Sequence, residues 1–234
     1  MEFKISKNPY DERNMFKNTT LEIQEGDIYC FVGCNGSGKT TLMRCITEEL
    51  EKQNAYQIRS SYLDFRGIFG EKKYSDTLAY YTFDKETHEY SSEDDIYFSQ
   101  FKVAFSSTGE GVIQKLGSGV QLLAKFIHNK ENQDKSLWII FDDCDAGTSI
   151  DMINDIQKVI ELIQNDCKKF GITLTVVLSA NSYEMCKKYN CINVWDFSPI
   201  TFNSYEEYKT FVLDSRKRKE KQIEKRAKTK EDLL

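Results

Sequence analysis

The densest chemistry in the chain lies in nine consecutive residues, Gly33-Cys34-Asn35-Gly36-Ser37-Gly38-Lys39-Thr40-Thr41. They fit the pattern G-x-x-x-x-G-K-[ST] at every fixed position. Glycine lets backbone N–H groups turn toward one centre and wrap an anion without Cβ clashes. A helix opening directly behind the loop would set its unpaired N–H groups and the positive end of its dipole beneath bound phosphates. Lys39 would then bridge the β- and γ-phosphates of a nucleoside triphosphate, and Thr40 would give its hydroxyl to Mg²⁺. A second group follows the apolar run Leu137–Phe141, where Asp142 and Asp143 stand side by side. A carboxylate at the end of a buried strand can hold the Mg²⁺ shell through water, the role expected of Asp142. Asp143 is expected on the γ-phosphate side, where a base could orient water.

These groups need a frame. Ile28–Val32 is a short continuous apolar run, as in a strand buried on both faces. The helix after the loop should extend to about Lys52, with Leu42, Cys45, Ile46 and Leu50 along one stripe. Strands are further expected at 2–6, in the segment 20–32, at Leu137–Phe141, at Ile172–Leu178 and at Ile192–Trp195. Ser149 is an expected N-cap for a helix carrying Ile150, Ile153, Ile156, Val159, Ile160 and Ile163. Another helix is expected from Gly109 to about His128, and a short one around Ser182–Lys188. Strands alternating with helices imply an α/β fold with a largely parallel central sheet. Residues 53–105 are harder to read; Tyr56–Ile58 and Ala79–Phe83 could be strands, and the Tyr and Phe content suggests a small packed subdomain.

Composition removes other classes. The chain has 234 residues, 40% of them hydrophobic, and only 2 prolines, so it is neither disordered nor collagen-like. No apolar run approaches the length of a membrane span, and residues 1–13 lack the apolar stretch of a signal peptide. A cytoplasmic protein with no membrane insertion is therefore expected. Its 7 cysteines are odd in number and irregularly spaced, which reads as reduced thiols, not a disulfide framework or a zinc finger. The net charge is −5. Residues 215–234 are locally basic and the rest of the chain acidic, which argues against a large DNA-binding face on the body. The tail could touch nucleic acid or a second protein, or be a solvated, partly helical terminus.

Gly33–Thr41 resembles the phosphate loop of ABC-class ATPases, and Met15–Asp27 resembles their opening strands and turn. Ser107, Gly109 and Glu110 resemble the serine, second glycine and final residue of the family's signature motif, with Ser106 and Thr108 departing from its leucine and first glycine. Ser149-Ile150-Asp151 resembles the D-loop. The resemblance extends in order from Met15 to about Val194, with the middle insert unmatched. It implies a P-loop NTPase, an ABC-ATPase-like head over 1–214 with an inserted subdomain at about 53–105, followed by a basic tail at 215–234. It implies ATP and Mg²⁺ as ligands, with Asn35, Gly36, Ser37, Gly38, Lys39, Thr40 and Thr41 on the nucleotide and Thr40 and Asp142 on the metal. Tyr10 is the expected aromatic against adenine. Gln100 is the candidate for the family's glutamine loop.

By the same resemblance, the signature helix contacts the γ-phosphate held by a partner, so two ATP molecules would be sandwiched in a head-to-tail homodimer. Two departures bear on turnover. Asp143 stands where the family usually has Glu, one methylene longer. Asn181 stands where the family has a switch histidine; its amide can hydrogen-bond but cannot become a cation. Slow hydrolysis is the expectation, with Asp143 and Asn181 as the catalytic pair. The loop DDCDAGTSID is longer than the usual transporter loop. It favours a soluble ATPase similar to small bacterial and phage AAA/ABC-like proteins near the SMC-like group. The ATP-binding subunit of a transporter and a non-hydrolysing, ATP-gated interaction module are the alternatives.

Overall fold

The computed structural model describes residues 1–5, 19–58, 74–84 and 119–231. Among the described residues seven strands form the main sheet: β3 (Ile28–Val32), β4 (Tyr56–Gln57), β5 (Leu78–Asp84), β6 (Ser136–Asp142), β7 (Thr173–Ala180), β8 (Asn190–Asn193) and β9 (Pro199–Ile200). Their order is β4-β5-β6-β7-β3-β8-β9. Every neighbouring pair is parallel except β8–β9. β1 (Glu2–Ile5) and β2 (Thr19–Glu22) form a separate antiparallel pair. The largely parallel sheet expected from the sequence is present.

Strand alternation sends side chains to two cores. Leu137, Ile139 and Phe141 of β6 join one, together with Val176, Leu178 and the buried face of the long helix Ile150–Lys169. Trp138 and Ile140 join the other, together with Phe31, Val177 and the helix α1 (Lys39–Lys52). Because helices cover both faces, the central strands carry almost no polar residue, which is why they read as continuous apolar runs. Residues 119–127 are helical and form α2; the earlier part of the helix expected from Gly109 lies outside the described residues. We number Ile150–Lys169 as α3, Tyr183–Cys186 as α4 and Tyr205–Glu231 as α5.

Several boundaries differ from expectation. Ile150 is 62% exposed instead of facing the core. Ser149 is the N-cap of α3 but makes no capping bond; its hydroxyl donates to Asp151. Met43 is buried and Cys45 only half-buried, which rotates the apolar stripe of α1 from the expected one. β7 runs to Ala180, two residues past the apolar run, and β8 begins at Asn190, two residues before it. β4 and β5 fall within 53–105 yet belong to the main sheet, so the described residues of that stretch are part of the central layer.

The basic stretch is not set apart from the body either. α5 begins at Tyr205 and passes through position 215 without a break. Its start has a physical cause: the Ser204 hydroxyl accepts from the Glu207 N–H at 3.2 Å, and the Glu207 carboxylate accepts from the Asn203 N–H at 2.8 Å. This is a variant of the capping box, with the glutamate reaching the N–H one residue before the capping serine. Tyr208 and Ser215 are buried on its inner side.

Candidate nucleotide-binding site

The sheet order decides what meets. β7 lies between β6 and β3, and the register pairs Val32 with Ala180 and Phe141 with Leu178. The carboxyl ends of the three strands therefore finish together, at Gly33, Asp142 and Asn181. Ligands in open α/β sheets bind outside such ends.

At β3 the loop turns through Gly36 (φ 72°) and Gly38 (φ 102°), both in the left-handed region. Gly38 is the residue before α1 and offers no side chain to cap it, so the helix's first N–H groups face the loop unclaimed by a cap. The Ser37 hydroxyl is buried and has no hydrogen-bond partner. A turned backbone, an uncapped helix N-terminus and an orphaned hydroxyl fit a phosphate group. Lys39 is 7% exposed, and its ammonium donates to the carbonyls of Gly33 (2.9 Å) and Cys34 (3.2 Å). Burial lowers its pKa, while Cys34 and the carboxylates of Asp143, Asp145 and Asp142 pull it back up. The cation is thus held between the loop and an acidic strand end. Thr40, the second residue of α1, is exposed, and Thr41 follows it half-buried; Asn35 is exposed on the loop.

At β6, Asp142 is buried and accepts from the Ser179 hydroxyl at 2.7 Å. That same hydroxyl oxygen accepts from the Asp143 N–H at 2.8 Å. Asp143 sits at φ 57°, the left-handed region that Asp tolerates better than most residues. Its carboxylate accepts from the Asn181 side-chain amide. The structure therefore brings the expected pair, Asp143 and Asn181, into contact with each other, and places Asp142, Asp143 and Lys39 at one strand-end cluster. Tyr10, Gln100, Ser107, Gly109 and Glu110 lie outside the described residues.

Four further residues enter the site that sequence reasoning missed. Asp145 is 5% exposed and accepts from the N–H groups of Asn181 (2.9 Å) and Ser182 (2.8 Å) and from the Ser182 hydroxyl (2.7 Å). It welds the loop after β6 to the loop after β7. Burial raises its pKa, and those hydrogen bonds work in the opposite direction. Ser179 has the bridging role just described. Ser215 of α5 accepts from the Cys34 N–H at 3.0 Å and from the Trp195 indole at 2.6 Å. Lys219 of α5 donates to the Asn35 carbonyl at 2.9 Å. A Cβ added at Gly36 would stand 2.5 Å from the Lys219 ammonium, so this glycine also admits the lysine. The first part of the basic stretch is therefore not merely a solvated terminus: α5 touches the loop after β3 through Ser215 and Lys219. No local signal announced this, although the capping residues Ser204 and Glu207 mark where the helix starts.

The chain is similar in part to several ATP-binding proteins. Residues 16–115 match the family described as ABC transporter. An uncharacterized ABC transporter ATP-binding protein of Methanocaldococcus jannaschii is 21% identical over 189 residues, covering 76% of this chain and 67% of that protein. The maltose/maltodextrin import ATP-binding protein MalK of Vibrio cholerae is 54% identical over 37 residues, which span 16% of this chain and only 10% of MalK. A solved nucleotide-free ATP-binding cassette from an ABC transporter aligns at a TM-score of 0.45 and 15% identity, covering 92% of this chain and 96% of that one. The match to the ABC transporter family takes in the phosphate loop and ends before the strand-end carboxylates. Among the described residues no helix is long and apolar enough to cross a membrane.

Proposed function

We propose that this chain binds ATP with Mg²⁺, hydrolyses it slowly, and uses the bound triphosphate to join two copies head to tail. The observation that carries the reading is Lys39, buried and satisfied by two loop carbonyls while facing three carboxylates from the far strand end. Thr40 and Asp142 are the residues that would hold Mg²⁺, whose positive charge would offset the triphosphate. Slow turnover follows from the Asp143–Asn181 contact. The carboxylate that would orient water is short, and its oxygen is engaged by an amide that cannot carry charge. Ser107, Gly109 and Glu110 would meet the γ-phosphate of the partner copy, and Tyr10 would lie against adenine.

Within the class we favour a soluble cytoplasmic ATPase of the small AAA/ABC-like kind, close to the SMC-like or phage type. The loop holding Asp145 supports it, because that carboxylate serves the welding of two loops and the loop is longer than a transporter's. The free state of all seven cysteines suits a reducing compartment. The second reading is the ATP-binding subunit of a transporter, favoured by relatives such as MalK. The test is light scattering after size-exclusion chromatography with ATP and Mg²⁺, with ADP and with no nucleotide. ATP should convert monomer to dimer, and Ser107→Arg should block the shift while leaving ATP binding nearly intact. A monomer at saturating ATP would sink the homodimer.

A further inference from the structure

Three cysteines unrelated in sequence spacing meet on the side of β3 that faces α4 and α5. Cys30 and Cys191 are paired neighbours across the parallel β3–β8 ladder, and Cys186 is the last residue of α4. Their sulfur atoms all lie within 4.8 Å of one another, and the residues are 0%, 4% and 1% exposed. All three are free thiols. Tyr208 of α5 belongs to the same buried cluster as the trio. The Cys191 sulfur lies 3.1 Å from the Cys186 carbonyl. Hydrogen bonds from Cys186 and Cys30 pull Cys191 toward the thiolate, but a thiolate against that carbonyl oxygen would be repelled. Burial holds Cys30 well above the ordinary thiol range.

We propose that Cys30, Cys186 and Cys191 form a binding site for one soft or borderline d¹⁰ cation, Zn²⁺ or Cu⁺. Thiolate ligands select these ions over Mg²⁺. Sulfur atoms around such an ion stand about 3.8 Å apart at a metal–sulfur distance of about 2.3 Å. The 4.8 Å bound on the trio is compatible with that spacing. Binding converts three thiols to thiolates and releases their three protons to solvent, so the metal-bound trio carries one net negative charge with Zn²⁺ and two with Cu⁺. The site is separate from the nucleotide site, which uses oxygen ligands. It lies on the same strand as the phosphate loop, three residues before Gly33, and beneath the helix that holds Cys34 and Asn35.

The full chain, reduced and stripped with a chelator under anaerobic conditions, would be titrated in two arms. One arm sets Zn²⁺ against a chromophoric zinc chelator, and the other sets Cu⁺ against a Cu⁺-specific chromophore. One equivalent per chain should be retained in at least one arm, and Co²⁺ should give a thiolate charge-transfer band. Cys186→Ser should lower the affinity about 100-fold, and Cys45→Ser, outside the trio, should not. Failure to hold either ion against the chelators, or binding unchanged in Cys186→Ser, would overturn the site. Should that variant unfold, the native chain still decides. Bound metal must slow alkylation of Cys186 and Cys191, read by mass spectrometry, without slowing that of Cys45. Equal rates with and without metal would overturn the proposal.

Discussion

The phosphate loop and the acidic strand end face the same ligand space but are built in opposite ways. The loop is contiguous: Gly33 to Thr41 supply the turn, the cation and the helix start within nine residues. The acidic end is a composite. Asp142, Asp143 and Asp145 come from β6 and its loop, while Ser179, Asn181 and Ser182 come from β7 and its loop, 36 or 37 residues further on. The loop keeps the buried Ser37 hydroxyl without a partner, although its Cys34 N–H and Asn35 carbonyl are held by α5. The acidic end is almost saturated with hydrogen bonds among its own residues. One region is poised to take a ligand, and the other is locked so that its carboxylates stand still. Preorganised charge of that kind needs no rearrangement when a ligand arrives.

The strongest way to break the comparison is to unlock the acidic end. Asp145→Ala leaves the N–H groups of Asn181 and Ser182 and the Ser182 hydroxyl without their acceptor. We expect a loss of about 3 kcal/mol in urea unfolding. A loss under about 1 kcal/mol would mean that the two loops are not held together through this carboxylate.

Lys39→Ala tests the other side. Removing the cation should weaken ATP binding about 100-fold, or about 2.7 kcal/mol, and should barely alter the unfolding midpoint. Equal binding of a fluorescent ATP analogue by variant and parent would refute the phosphate-loop assignment.

Ser215→Ala should cost about 1.5 kcal/mol, since the Cys34 N–H and the Trp195 indole both lose their acceptor. It should also loosen the loop, seen as faster amide exchange at Cys34. Unchanged exchange would show that α5 covers the loop without restraining it. The smallest effect belongs to Glu220→Ala, which removes the exposed ion pair with Arg216. A change within about 0.5 kcal/mol is expected, and a larger one would show that the outer face of α5 is engaged.

What the sequence could determine was whatever is encoded locally. The phosphate loop is legible because every group it needs lies within one turn and one helix start. β3, β6, α1 and α3 are legible because burial on both sides of a sheet, or on one side of a helix, imposes a period on neighbouring residues. Residues 142 and 143 could be named because they end an apolar run. Asn181 could be named only through the family resemblance, and its contact with Asp143 could not be read from either segment alone. Ser179 stood at the end of an apolar strand with nothing to mark it. Asp145 looked like one more loop residue. Ser215 and Lys219 lie 181 and 184 residues from the loop atoms they touch, within a stretch whose charge suggested a solvated tail. Those contacts were decided only in the tertiary structure, by β7 separating β6 from β3 and by α5 touching the loop after β3. A periodic pattern records which face of an element is buried, whereas the partner found there depends on how distant elements pack.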